Sequence, residues 1–512
     1  MKELREMVSI INRQGIRKVD VLTPSNEKGL MFELFDGVRK GKFDTDDLAV
    51  TKLYGDPTKK EAYKKLKNRL KNQLANTMIF GDNNPVLPDS AKAFIACYRQ
   101  FAIFWVLLGN GGYQSGFSMG KRILKVAIKY ELTELCVMVS AGLRKLSERE
   151  GDIKKFDYYN NLAHKYHKLY EAELIACEYE ESITIHFIKS RSAKTKLAKQ
   201  AKQYSEKLKK YTSSMDSSRL FLKAFNVFVL SHEIAGEFDE MRKTCDEAVA
   251  YFENKKPRKT NSIFIFLFKS LMYYQRIKDF ENGEKVIVKA VSYIANKDSR
   301  NYFITIERYI LLSITCQKYQ VAHEQYYAAV NKKGFELMLD SNKEHWKIYE
   351  AYLQFLKLTG ELVIDKETKK NKFRLGKFLN EVPTFSKDKM GFNATILIIQ
   401  ILLLLQMKKF ETLIDRAESL RIYAYRYLRK PETMRSFYFV KILFEIIKVQ
   451  FHKEAAIRKC EKYHKKMALI SPTNRADEGV IEIIPYEELW KIVLGLLDTK
   501  FQKTKKRLST KK

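Results

Sequence analysis

The sequence predicts an all-α fold. Three observations carry that expectation. Only 9 prolines and 21 glycines punctuate 512 residues, too few for the frequent turns of an all-β chain. Between them lie long stretches rich in Lys, Glu, Leu and Ala, the residues that lose least on entering a helix. Apolar residues make up 45% of a chain too long for one compact core, so the fold either divides or grows by repetition.

The first 85 residues stand apart. A short helix is expected over Glu3–Asn12, then an extended Lys18–Thr23. Ser25 is placed to cap a helix running to about Val38. After Lys42-Phe43 a further helix opens at Asp44 or Thr45, with Asp46 and Asp47 suited to the positive end of its dipole. Gly55-Asp56-Pro57 ends it, and the next helix runs from Thr58 to about Met78, where Gly81 to Pro85 break the pattern. Residues 1–85 thus read as a trihelical module of helix-turn-helix-like shape.

Its last helix carries the strongest charge pattern. Ala62, Leu66, Leu70 and Leu74 form an apolar stripe, and Lys60, Lys64, Lys67 and Lys71 recur on another face beside Lys65 and Arg69. Such a helix is able to lie on nucleic-acid phosphates with Asn68 and Arg69 near base edges. Lys60, Lys64, Lys67, Asn68, Arg69 and Lys71 are therefore the candidate nucleic-acid contacts. The solvated face of an ordinary amphipathic helix presents the same pattern.

Residues 86–498 read as helix after helix. Phe101–Leu108 is uniformly apolar and is expected to be buried on all sides. A very long helix is expected over Asp152–Ile188, followed by a basic one over Ala193–Tyr211. From residue 218 to 425 an internal repeat emerges. Counting three, seven and ten residues from Phe238 gives Met241, Cys245 and Ala248; from Phe280, Gly283, Ile287 and Ala290; from Tyr319, Ala322, Tyr326 and Ala329; from Phe410, Leu413, Ala417 and Leu420. These offsets share one helical face. Gly360-Glu361-Leu362 supplies a weaker copy, and with it the spacings are 42, 39, 43 and 48 residues. Leu132, Leu135, Val139 and Gly142 suggest an earlier one.

This pattern resembles the tetratricopeptide family, in which an aromatic opens the second helix of each pair and small residues follow it. The resemblance implies a solenoid of stacked helix pairs, with Phe238, Phe280, Tyr319 and Phe410 as repeat anchors and Ala248, Ala290 and Ala329 at close helix crossings. It departs from the family in its period of about 40 rather than about 34 residues. It also has Val229, Leu271, Ile310 and Ile401 where the first helices of the family carry a small residue. Helices at 432–450, 453–469 and 486–497 are expected to close the stack, and 499–512, with seven basic residues and no acid, to be a disordered tail.

The sequence lacks recognisable motifs for chemistry. Gly116–Lys121 is one residue short of a phosphate-binding loop, and Arg122 stands where the magnesium-binding hydroxyl is needed. His164, His167 and Glu171 share a helical face without an HExxH motif and among lysines, so a solvated face is the reading. The six cysteines are scattered with no CxxC, as buried free thiols would be in a reducing compartment. No enzyme, metal or cofactor is expected.

The formal charge is +33, but it is carried by 69 Lys against 25 Arg, a bias that an AT-rich genome also produces. The most apolar run, Ile396–Leu405, is too short to span a bilayer, which takes ~20 residues. A cytoplasmic protein without a membrane partner is expected; the oligomeric state is not indicated. The preferred reading is a non-catalytic scaffold that holds a protein or peptide in the solenoid groove. The alternative is a nucleic-acid-binding regulator, in which residues 1–85 touch DNA or RNA and the repeats sense a partner.

Overall fold

The computed structural model describes residues 1–13, 29–80, 89–189, 194–336, 338, 340–364, 373, 376, 378, 392–429, 433–470 and 482–498. Among them every regular element is an α-helix, 22 in all, and the chain is all-α. The expected extended stretch at 18–23, the cap at Ser25, the break at 81–85 and the basic tail lie outside the described residues.

The chain divides into two compact units, one of Met1–Glu178 with Tyr211–Leu220, the other of Tyr179–Lys210 with Phe221–Lys512. The first holds α1 (Lys2–Arg13), α2 (Leu30–Arg39), α3 (Asp46–Tyr54), α4 (Lys60–Phe80), α5 (Asp89–Gly109), α6 (Tyr113–Tyr130), α7 (Thr133–Glu150) and most of α8 (Ile153–Lys189). The second holds most of α9 (Lys194–Ser214) and α10 (Ser218–Ala235). It continues through α11 (Phe238–Asn254), α12 (Thr260–Ile277), α13 (Phe280–Ser292), α14 (Arg300–Thr315), α15 (Tyr319–Val330) and α16 (Lys333–Glu336). It ends with α17 (Asp340–Leu358), α18 (Phe392–Gln406), α19 (Phe410–Tyr427), α20 (Met434–Lys448), α21 (Lys453–Ala468) and α22 (Tyr486–Leu496). In both units successive helices pack on one another.

One turn builds most of these pairs. At the end of α12, Lys278 takes a left-handed φ of 56°, its N–H reaches Gln275 O, and the Asp279 N–H returns to Tyr274 O at 3.0 Å. This is a Schellman closure, which satisfies carbonyls that the helix end would leave bare. Asp279 then serves as the cap of α13, its carbonyl accepting from Gly283 N at 3.2 Å. The same closure recurs at Gly236, Gln317 and Lys408, with Glu237 N bonded to His232 O, Lys318 N to Ser313 O and Lys409 N to Leu404 O. The first unit uses it at Gly111, Glu131 and Gly151. A link of only two or three residues leaves the second helix one way to go: back along the first.

Burial follows the predicted stripes with two differences. The α1–α4 module has its own core of Leu4, Val8, Ile11, Leu34, Phe35, Val50, Leu70 and Leu74. On α4, however, Tyr63 and not Ala62 opens the buried stripe, Ala62 being exposed. The α5–α7 helices close around Phe104: a Cβ on Gly142 would lie 2.7 Å from its ring, and one on Gly120 2.9 Å from it. Only glycine allows that approach. Yet the run Phe101–Leu108, expected inside on all sides, is buried only along one face. Ile103 is 45% exposed, Trp105 44% and Val106 63%. The run is apolar all round, and periodicity cannot report that only one neighbour pair covers it. In the second unit one continuous apolar cluster runs from Phe225 on α10 to Leu497 after α22.

Candidate interaction surfaces

The six charged or polar candidates on α4 fall into two sets. Lys60 pairs with Asp47 at 2.9 Å, Lys67 with Asp46 at 2.9 Å, and Lys71 with Glu3. Asp46 also accepts from the Tyr63 hydroxyl at 2.7 Å and from the Met1 amino group at 3.2 Å. Burial alone would raise the Asp46 carboxyl; the hydrogen bonds from Lys67 and Tyr63 outweigh it and hold it at about 2. These three lysines therefore bind α4 to α1 and α3. Lys64, Asn68 and Arg69, with Lys65, are exposed. They form the part of the α4 face open to a polyanion.

The repeat positions have a common geometry. Phe238, Phe280, Tyr319 and Phe410 are each the first residue of their helix, directly after the Schellman link. Ala248, Ala290 and Ala329 are buried at 0%, 0% and 1% exposure. Phe238, Phe280 and Phe410 also meet residues at or near the turn of the next pair. The Arg276 guanidinium, at the end of α12, lies 4.0 Å over the Phe238 ring, and the Lys318 ammonium, in the next link, 6.0 Å from the Phe280 ring. Tyr319 feels the charge of Glu361 beside Gly360, which adds to burial in pushing its phenol up to about 12. Phe410 packs on Phe451 with ring centroids 4.3 Å apart. Gly283, three residues after Phe280, brings α13 onto α14: a Cβ there would lie 2.5 Å from Leu312 Cδ2 and 3.2 Å from Tyr274 Cβ.

Two buried polar clusters carry the densest chemistry. In the first unit the Glu173 carboxylate is fully buried on α8. Its Oε1 accepts from the Thr133 hydroxyl at 2.9 Å and from Ser217, while Oε2 accepts no hydrogen bond among the described residues. Arg219 Nη1 stands 3.9 Å from Glu173 Oε2 and 3.8 Å from Glu134 Oε2; Tyr98 donates to Glu134 at 2.8 Å. Burial pushes the Glu173 carboxyl above its ordinary value despite the Ser217 and Thr133 hydrogen bonds. The cluster fixes residues 217–219 onto α7 and α8. In the second unit Arg435, 6% exposed, is held by Glu482 at 2.7 Å, Glu487 at 2.9 Å and the Met467 and Ile470 carbonyls at 3.0 and 2.8 Å. Burial raises Glu487, but the Arg435 hydrogen bond outweighs it and leaves the carboxyl below its usual range.

His164, His167 and Glu171 are exposed on α8, and no group of three metal-ligating side chains forms among the described residues. Comparison with known proteins adds no relative. No family model, curated protein or solved structure matches this chain.

Sequence reasoning missed both buried clusters. Glu173 meets partners 40 and 44 residues away, and Arg435 meets Glu482 47 away, separations at which no local pattern exists. The Schellman links at Lys278, Gln317 and Lys408 were also hidden, because the left-handed residue is not glycine.

Proposed function

We propose that the chain is a tetratricopeptide-like helical-repeat scaffold that holds a protein or peptide segment and performs no chemistry of its own. The observation that supports this best is the repeated contact between three helix-opening aromatics and the turn region of the next pair. A contact that recurs at Phe238, Phe280 and Phe410 makes each pair the template for its neighbour, which is how a solenoid extends. Stacked pairs present long, shallow surfaces suited to extended segments. The test is a pull-down with the full chain from native lysate, followed by titration of the recovered segment onto the purified chain. A stoichiometric partner that binds in the titration supports the reading. Repeated failure to recover one, with the chain folded, removes it.

A second reading has its own support in the exposed Lys64, Lys65, Asn68 and Arg69 of α4: a nucleic-acid-binding regulator whose N-terminal module contacts phosphates. Binding of the full chain to duplex DNA at rising salt tests it. Several phosphate contacts require a steep fall in affinity, and no binding at low salt excludes it.

A further inference from the structure

We propose that the exposed apolar face of α5 is a docking surface for an anionic lipid bilayer. Three observations converge on it. Of the described helices, α5 alone, with 21 residues, is long and apolar enough to cross a membrane, yet little of it is buried. A core helix of that composition would be covered; this one is not. Phe94, Ile103, Trp105 and Val106 lie open to solvent, the sort of exposed apolar patch that marks an interaction site.

The second observation is charge. Across the α5–α6 hairpin, residues 89–130, Lys92, Arg99, Lys121, Arg122, Lys125 and Lys129 stand against Asp89 alone. An exposed apolar face on a hairpin that also exposes cations matches an anionic membrane, where burial of the former and attraction of the latter add. A second copy of this chain is a poor occupant, because each copy carries the same +33.

Third, α5 stays a part of the folded unit while its outer face is exposed among the described residues. Its inner face is fixed by Phe104 against Gly120 and Gly142, and α6 presents Lys121, Arg122, Lys125 and Lys129 to water. The helix is therefore held at the surface, and the geometry fits shallow insertion of Trp105, Val106 and Ile103 at headgroup depth. Tryptophan is favoured at that depth. This inference is independent of the scaffold reading.

The test uses the full chain and an internal reporter. The sequence has three tryptophans: Trp346 is buried, Trp490 half-buried, and Trp105 exposed. Adding vesicles of phosphatidylcholine with phosphatidylserine is expected to shift Trp105 emission to the blue and to sediment the protein, more weakly as salt rises. The double variant Ile103→Gln/Val106→Gln, at exposed positions and with a good helix former, keeps the fold. It is expected to lower vesicle affinity at least about tenfold. Trp105→Phe should abolish the shift and keep the sedimentation. Four results overturn the proposal. One is no binding to the anionic vesicles at low salt. Another is equal binding by the double variant. A third is a dimer in light scattering that the double variant dissolves. The last is an acidic protein partner whose binding the double variant abolishes while vesicle binding persists.

Discussion

Replacing Gly283 by alanine separates close repeat packing from ordinary helix preference. In an exposed helix the change stabilises, since glycine costs roughly 0.5–1 kcal/mol relative to alanine. At Gly283 the new methyl would sit 2.5 Å from Leu312 Cδ2 and 3.2 Å from Tyr274 Cβ. Ordinary carbon contact lies at about 3.5–4.0 Å. Leu312 must therefore retreat by about 1 Å, and it is 2% exposed in a packed cluster with Leu271, Ile287 and Tyr309. Tyr274 Cβ, next to the backbone of α12, gives little. Overpacking of this kind costs about 1–3 kcal/mol, so the net effect is a loss of about 0.5–2 kcal/mol once the helix gain is deducted. Gly495, near the end of α22, is the internal control: a Cβ there meets nothing within 4 Å. Gly495→Ala should leave stability unchanged or raise it by up to about 1 kcal/mol. Urea unfolding followed by hydrogen exchange on α12–α14 reads both. If Gly283→Ala matches Gly495→Ala in sign, the close approach of α13 to α14 is not what holds those helices, and the packing argument is wrong.

Three further expectations follow from the same geometry. Ala329→Leu, in the buried stripe of α15, should cost about 1–3 kcal/mol in a melt, whereas a change at exposed Lys333 should cost almost nothing. Glu173→Gln should stabilise the chain near neutral pH. The folded carboxyl titrates above its unfolded value, so its protonated form is favoured by folding, and that contribution is complete at acid pH and is lost as pH rises through the raised value. The gain over wild type in pH-dependent melts should therefore shrink as pH falls through that value, and a constant gain across the range would contradict the assignment. Arg435→Met should destabilise by up to about 3 kcal/mol, because it strands the Glu482 carboxylate, 10% exposed, and the more open Glu487 without their cation. Wild-type stability from Glu487, whose carboxyl is depressed, is present above the usual carboxylate range and lost as pH falls below it; the variant should lack that acid limb.

Much of the helix order was legible because its signals are local. The 37-residue α8 shows as an unbroken stretch without Gly or Pro, and Thr45 shows as a cap, accepting from Leu48 N at 3.3 Å. Gly236 and Gly360 announced their turns, with φ of 80° and 82°. Lys278, Gln317 and Lys408 adopt the same conformation at a cost that tertiary packing offsets, and no residue type advertises it. On α4 the lysines look alike in sequence. Only the fold brings Glu3, Asp46 and Asp47 to three of them, so the paired and open sets were indistinguishable. The α5 run failed for a different reason: when every position is apolar, the sequence has no period from which to read an exposed face. A double charge reversal, Lys64→Glu with Arg69→Glu, applies the α4 distinction directly. It should abolish any salt-dependent DNA binding without loss of stability, while Lys67→Gln should destabilise the module by removing the Lys67 ion pair of Asp46, which keeps only Tyr63 and the Met1 amino group.

The most direct test of the scaffold account is hydrogen–deuterium exchange on the full chain with and without the segment recovered by pull-down. The account predicts that a stoichiometric partner slows exchange along at least two successive helix pairs between Phe238 and Ala468, because stacked repeats present one continuous surface. Protection confined to α1–α4, or unchanged exchange throughout that stretch at saturating partner, would contradict it.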